Sequence, residues 1–311
     1  MAAAQYAPDF VADSNDRPAW LEARRSGIGS SDAPVILGIS PFSNPFELAV
    51  KKRGIHTLVD DDDDESELLK WGHYVEGPML SLFLKETGLK GELNSILYRS
   101  TEPGHEFMLS TPDATIIDGG EVGGAECKLK IFDAKEWERE GIPDSVITQA
   151  QHSMRVMGWR FKYVLALLDG YRLRFKRIER NDEILDEIVI PAERIWWDDF
   201  TNDRPFDPTI GKQSATDRAL RRLYPEDSGE TIQLAGHEWL QALGEWREAK
   251  KNSKAWKDIA DSKMNRMKAA IGKATFATLD DGTELTLKTT RRDGYPVEPT
   301  SFRTLRVKGD R

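Results

Sequence analysis

Thr111-Pro-Asp-Ala-Thr-Ile-Ile-Asp-Gly-Gly-Glu-Val-Gly-Gly-Ala-Glu-Cys-Lys-Leu-Lys-Ile131 decides the fold. Ala114–117 and 122–132 read as strands, divided by the Asp118-Gly-Gly120 turn. Along a strand, residues two apart project to one face. Glu126 and Lys128 therefore project together, Cys127 points the other way, and Asp113 stands at the head of the neighbouring strand. Ile116, Ile117, Cys127, Leu129 and Ile131 give the pair the apolar content of a central sheet, where a charge without a purpose is costly.

Two acids and one amine converging across adjacent strands suit metal-assisted phosphodiester hydrolysis. Asp113 and Glu126 offer oxygen to a hard divalent ion. Such an ion neutralises phosphate charge and acidifies a bound water. Lys128 can orient that water and offset charge on the phosphorus. An acid-x-Lys triplet alone is weak, since the chain also has Asp133–Lys135, Glu248–Lys250 and Asp261–Lys263. Pro-Asp recurs at Asp9 and Asp144. Only Asp113 with Glu126–Lys128 combines order, short separation and strand context.

Around this core, helical spacing marks 17–25, 33–37, 46–53, 68–87, 133–140, 145–156 and 184–200. Asn44-Pro45 reads as a cap and first helical residue. Strands are expected at 95–99 and 107–110, and a hairpin joins 163–168 to 172–178 through Asp169-Gly170. In the helix at 68–87, Leu69, Val75, Met79, Leu82 and Phe83 mark the buried side. Glu76 in the same helix offers a third carboxylate, and Gln149 or Gln151 an amide to position water or phosphate. Six consecutive acids, Asp60 to Glu65, read as a solvated loop. The division expected is a loose tail (1–16), a core (17–200) and a basic C-terminal region (201–311) holding a charged helix (234–271) and a hairpin (275–289).

The 311 residues are 39% hydrophobic and 31% charged, as in globular chains. The net charge of −9 is uneven, because residues 247–311 carry 16 basic against 9 acidic side chains. An acidic average does not exclude a polyanion partner, since a local basic surface is what binds phosphate. No apolar run reaches the roughly 20 residues of a membrane helix, no signal peptide is visible at the start, and the single Cys127 excludes an intrachain disulfide. A cytoplasmic location is expected. The five His lack zinc spacing, and Trp196, Trp197, Trp239, Trp246 and Trp256 fall at helical spacing suited to core or interface.

Taken together, Trp20-Leu-Glu-Ala-Arg-Arg-Ser-Gly-Ile-Gly-Ser-Ser-Asp32, Gly72-His-Tyr-Val-Glu-Gly-Pro78, Pro112-Asp113, Glu126-Cys-Lys128 and Gln149-Ala-Gln-His-Ser-Met154 resemble, in family order, the YqaJ-like viral recombinases of the phage lambda exonuclease type. The resemblance covers about residues 17–200. It implies an α/β fold with a PD-(D/E)xK, restriction-endonuclease-like core: a central mixed sheet flanked by helices, extended C-terminally by helix and hairpin. It implies a DNA exonuclease acting 5′→3′ on double-stranded ends, leaving 3′ tails for a single-strand annealing protein. Mg²⁺ is the implied cofactor, as two ions, with Mn²⁺ able to substitute. The implied ligands are Asp113, Glu126, Glu76 and the Cys127 carbonyl; the implied catalytic set is Lys128 with those acids and a glutamine, Gln151 slightly preferred over Gln149. Arg24, Arg25 and Ser31 match the segment meeting the DNA end and its 5′-phosphate. Trp20, beside Arg24, is a further DNA contact candidate through stacking on a base; Ser31 also reads as a simple N-cap. A homo-oligomer, a trimer by analogy, is implied. Two other readings stay open: an endonuclease of the same fold, and a non-catalytic DNA-binding recombination scaffold.

Overall fold

A computed structural model describes residues 6–54, 67–131, 137, 141–224, 236–271, 276–278 and 284–286. The elements in chain order are β1 (Asp9–Asp13), α1 (Arg17–Arg25), β2 (Ile28–Gly29), α2 (Ala33–Ile36), α3 (Pro45–Lys52), α4 (Glu67–Thr87), β3 (Lys90–Leu93), β4 (Ile96–Arg99), β5 (Met108–Ser110), β6 (Ala114–Asp118), β7 (Glu121–Lys130), α5 (Asp144–Met157), β8 (Phe161–Leu168) and β9 (Arg172–Glu179). A helical run, α6 (182–201), follows, then α7 (Gln213–Leu223), α8 (His237–Ile271), β10 (Phe276–Thr278) and β11 (Glu284–Thr286).

The central sheet has the order β3-β6-β7-β8-β9. It is mixed: β7 and β8 run parallel, and every other pairing is antiparallel. The parallel pair needs a crossover, which α5 supplies. One face of the sheet is closed by α4, where Met79, Leu80 and Phe83 pack against Ala114, Ile116, Ala125, Phe161 and Leu165. The buried side of α4 includes Leu80 rather than the expected Leu82, which is 41% exposed. The other face carries α5. The mixed sheet flanked by helices is the expected architecture.

Adjacent glycines in β7 have a packing cause. A Cβ on Gly124 meets the Trp159 ring at 2.2 Å, and one on Gly123 meets Phe161 at 2.5 Å. Large rings on β8 and its approach thus take the space beside the strand on both faces.

Strands expected at 95–99 and 107–110 do not join this sheet. They form a second one, β1-β4-β5-β2, whose shortest member is the two-residue β2. The expected loose tail is partly structured: β1 pairs antiparallel with β4, and Ala12 is buried against Leu97 and Leu109. The helical run at 182–201 contains a π-turn, Leu185–Val189. Pro191 explains it, since a proline ring cannot tolerate the carbonyl four residues back in a regular helix.

The chain divides into two compact units, Met1–Pro225 and Glu226–Arg311. The first extends past the boundary expected at 200 because α7 is anchored to α3. Asn44 caps α3 by accepting from Glu47 N, and its amide donates to Thr216 Oγ1 at 2.7 Å. Glu47, fully buried, accepts from Arg218 at 2.9 Å and Arg222 at 3.3 Å. The second unit contains α8 and the β10–β11 hairpin. Trp239, Trp246 and Trp256 on α8 are exposed, whereas Trp196 is core, stacked on Phe200. The acidic run 60–65 and the expected helix at 133–140, apart from Trp137, lie outside the described residues.

Candidate active site

The β6–β7 ladder ends at Ala114 opposite Ala125. Beyond that point β7 pairs, among the described residues, with β8 alone, and one edge of 126–130 has no strand partner there. Asp113 sits at this edge, its Oδ2 accepting from Cys127 N at 2.7 Å. Asn94 holds the turn: its backbone N–H donates to Asp113 O and its side-chain amide to Pro112 O, both at 2.9 Å. In a strand a residue's N–H and C=O leave by the same edge, so the Cys127 carbonyl faces the Asp113 side.

Glu126 and Lys128 project together toward α5, as the strand period requires. Glu126 is 2% exposed. Its Oε1 accepts from Lys128 Nζ at 2.7 Å and from the Gln149 amide; Gln149 Oε1 in turn accepts from Lys128 at 3.0 Å. Its Oε2 accepts from Lys162 Nζ at 2.7 Å. Lys162, fully buried on β8, was not anticipated. It also donates to Ser153 Oγ at 3.1 Å, and hydroxyl contacts continue from Ser153 to Ser110 and Ser30.

Charges in this cluster are set by environment. Burial opposes ionisation of Glu126, but Lys128 and Lys162 overcome it and hold its carboxyl below the usual range. Asp113 goes the other way, raised by burial and by the Glu126 and Glu76 carboxylates. Lys128 loses hydration, yet Glu126 and Asp113 keep it a firm ammonium. The Cys127 thiol is pushed far up by burial and the neighbouring acids, and packs as an apolar side chain against the α4 face. Glu76 reaches this region from α4 and accepts from His73 Nδ1 at 3.0 Å. Burial of His73 is outweighed by that contact, and its pKa rises.

Among the described residues, no three His, Cys, Asp or Glu side chains form a metal cage by themselves. Magnesium does not need one. It is commonly held by one or two carboxylates, with waters and substrate phosphate completing the octahedron. Asp113, Glu126 and the Cys127 carbonyl are such a set of hard oxygens, and the negative potential raising Asp113 suits a cation there.

Of the two glutamines, Gln149 is in the cluster and Gln151 is not, reversing the sequence preference. Residues two apart on a helix diverge. Gln151 is buried elsewhere, donating to Glu179 O and accepting from Asn181 N, both at 2.8 Å. His152 is fully buried between Glu193 and the Leu109 carbonyl.

The α1–α2 segment forms a second constellation. Arg24 donates to Ser31 Oγ at 3.0 Å and lies over the Trp20 ring at 4.7 Å. Arg25 instead pairs with Glu22 at 2.7 Å, one helical step away. The Trp20 ring, with Arg24 above it and its N–H on Thr111, packs against the Leu97–Leu109 cluster and is not an open stacking platform. Nor is Ser31 the N-cap of α2; that residue is Asp32. Asp32 accepts from Gly29 N and from the buried Lys52, both at 2.8 Å. Burial disfavours its charge, but Lys52 and Arg24 keep the carboxyl below its ordinary range. Asp32 and Lys52 escaped the sequence reading.

Residues 19–160 match the family model of the YqaJ-like viral recombinase domain. The chain is similar to that domain over those residues. It is 35% identical over 213 residues to "Uncharacterized protein YqaJ" of Bacillus subtilis (strain 168). That match covers 68% of this chain and 64% of the relative, less than two thirds of the relative's length. Solved structures similar to this chain include LHK-Exo in complex with dAMP, at 17% identity and a TM-score of 0.48 over 60% of this chain and 93% of that one. Another is the alkaline exonuclease LHK-Exo from Laribacter hongkongensis, at 16% identity and a TM-score of 0.46 over 67% of this chain and all of that one. No described helix is long and apolar enough to cross a membrane.

Proposed function

We propose that this YqaJ-like protein is a Mg²⁺-dependent deoxyribonuclease acting on double-stranded DNA ends. The observation that supports it is the fixed carboxylate of Glu126, clamped by Lys128 and Gln149 on one oxygen and Lys162 on the other, beside Asp113. Asp113, Glu126 and the Cys127 carbonyl would hold the cation, with Glu76 adding negative potential. Bound there, the cation supplies charge neutralisation on the phosphate and a more acidic water. Two ions, and substitution by Mn²⁺, belong to the same reading.

Within this frame, Lys128 presents an ammonium to the phosphate and the attacking water, and Gln149 sets its direction. Lys162 keeps Glu126 ionised and oriented. At the Arg24–Ser31 pair, a forked donor and a hydroxyl suit the terminal 5′-phosphate. Degradation is accordingly 5′→3′, and the product is a 3′ single-stranded tail for a strand-annealing protein, with the enzyme acting as a homo-oligomer in the cytoplasm.

The test is a linear duplex incubated with Mg²⁺. Terminal digestion is expected for 5′-phosphorylated ends and is lost in Glu126→Gln and Lys128→Ala, while DNA binding persists. Closed circular DNA stays intact. Cutting of circles overturns end dependence, and full activity of both variants overturns the site.

A further inference from the structure

We infer that Lys52 sets the specificity of the Arg24–Ser31 pair: by holding the Asp32 carboxylate to itself, it leaves the Arg24 guanidinium available to the terminal phosphate of a DNA end. This rests on the end-phosphate reading above and adds to it a positioning residue buried behind the pair.

The arrangement joins three elements. Lys52 is the last residue of α3, and its buried Nζ reaches Gly27 O at 2.6 Å, Arg24 O at 3.0 Å and Asp32 Oδ2 at 2.8 Å. An ammonium has three donors, and here each meets an oxygen. One cation thus ties together the end of α1, the turn after it and the cap of α2. Asp32 Oδ2, the oxygen Lys52 holds, also accepts from Gly29 N at 2.8 Å.

The other oxygen, Oδ1, lies 3.9 Å from Arg24, too far for a hydrogen bond. Arg24 is held instead by uncharged groups, Ser31 Oγ at 3.0 Å and the Trp20 ring at 4.7 Å. Its side chain is 31% exposed, against 10% for Asp32 and 6% for Lys52. The buried ion pair therefore balances its own charge, and the guanidinium beside it keeps a positive charge facing solvent. A phosphate monoester attracts such a fork more strongly than a hydroxyl does. Trp20 connects the pair to the reaction, since its N–H donates to Thr111 Oγ1 at 3.2 Å, two residues before Asp113. Without Lys52, the cation left beside Asp32 is Arg24, and a buried carboxylate stripped of its ammonium recruits it.

The experiment mixes 5′-phosphorylated and 5′-hydroxyl duplexes in one reaction with the full chain and Mg²⁺, and reads the ratio of the two cleavage rates. A loss of folded protein lowers both rates and leaves the ratio. Lys52→Met is expected to lower the ratio about tenfold, the low end for losing a hydrogen bond to a charged group. Lys52→Gln keeps an amide donor for the Gly27 carbonyl and is expected to do the same where Lys52→Met fails to fold. Asp32→Asn still accepts from Gly29 N but carries no charge, and is expected to hold the ratio at or above that of the unaltered protein. A ratio unchanged in the Lys52 variants overturns the inference. So does an equal fall in Asp32→Asn, which marks the ion pair as a brace of the turn and nothing more. An unaltered protein that cuts both ends alike overturns the end-phosphate reading along with it, and leaves the nuclease reading intact if Glu126→Gln still abolishes cleavage.

Discussion

Lys162 Nζ lies 2.7 Å from Glu126 Oε2, with neither residue more than 2% exposed. Gly124 pairs with Lys162 across β7 and β8, which puts the lysine on the Glu126 face one strand repeat upstream. An ammonium taken this far from water is tolerable only when its charge and hydrogen bonds are met, here by Glu126 and Ser153. The pair also divides the labour at Glu126: one oxygen is fixed by a buried cation, the other by the half-exposed Lys128.

Lys162→Met is therefore expected to cost about 3 kcal/mol, the low end for breaking a buried ion pair, since Lys128 still holds the remaining oxygen. Combining it with Glu126→Gln should be less damaging than the two single changes added together, because the two residues share one interaction. Urea unfolding of the four proteins measures this. Strict additivity shows that Lys162 and Glu126 do not act as a pair.

Gln149 and Gln151 make opposite predictions. Gln149→Ala removes a group that orients Glu126 and Lys128, and should lower single-turnover cleavage about a hundredfold with little change in stability. Gln151→Ala leaves the Glu179 carbonyl and Asn181 N–H unmatched in a buried setting, and should cost about 1–3 kcal/mol on urea unfolding. If Gln151→Ala is stable yet as slow as Gln149→Ala, the two roles have been assigned the wrong way round.

The chemistry-bearing strands were readable because β7 announces itself twice. Its period of two puts Glu126 and Lys128 on one face, and the Gly/Asp turn before it places Asp113 alongside. Lys162 gave a fainter signal: a single cation inside the otherwise apolar Phe161–Leu168, a strand covered on both faces. A charge there demands a partner, but which one depends on the β7–β8 register, a long-range fact. The glutamines were ambiguous for the opposite reason, since both lie on α5 and only its rotation about its own axis separates them. The second sheet was hidden because β2 has two residues and β1 sits in text resembling a tail; their pairing comes from tertiary contact rather than local pattern.

His152 and Glu193 provide a pH prediction away from the cation site. Both are fully buried, with His152 Nδ1 2.7 Å from Glu193 Oε1 and Nε2 3.0 Å from the Leu109 carbonyl. Burial disfavours the imidazolium, but Glu193 and the carbonyl outweigh it, so the folded-state pKa lies above the ordinary value. The folded protein then holds a proton that the unfolded chain releases. This stabilisation is complete below the unfolded pKa of about 6.5 and is lost as pH rises through the folded one. Unfolding free energy should fall with rising pH across that window, by at most about 1.4 kcal/mol per unit from this group. In Glu193→Gln the charge that favoured the imidazolium is gone, burial lowers the His152 pKa, and the contribution changes sign, so stability rises with pH through the acid side of neutrality. Urea midpoints from pH 5 to 9 for the two proteins distinguish these slopes (a range set by the ordinary imidazole pKa), and parallel curves would show that the pair does not titrate with folding.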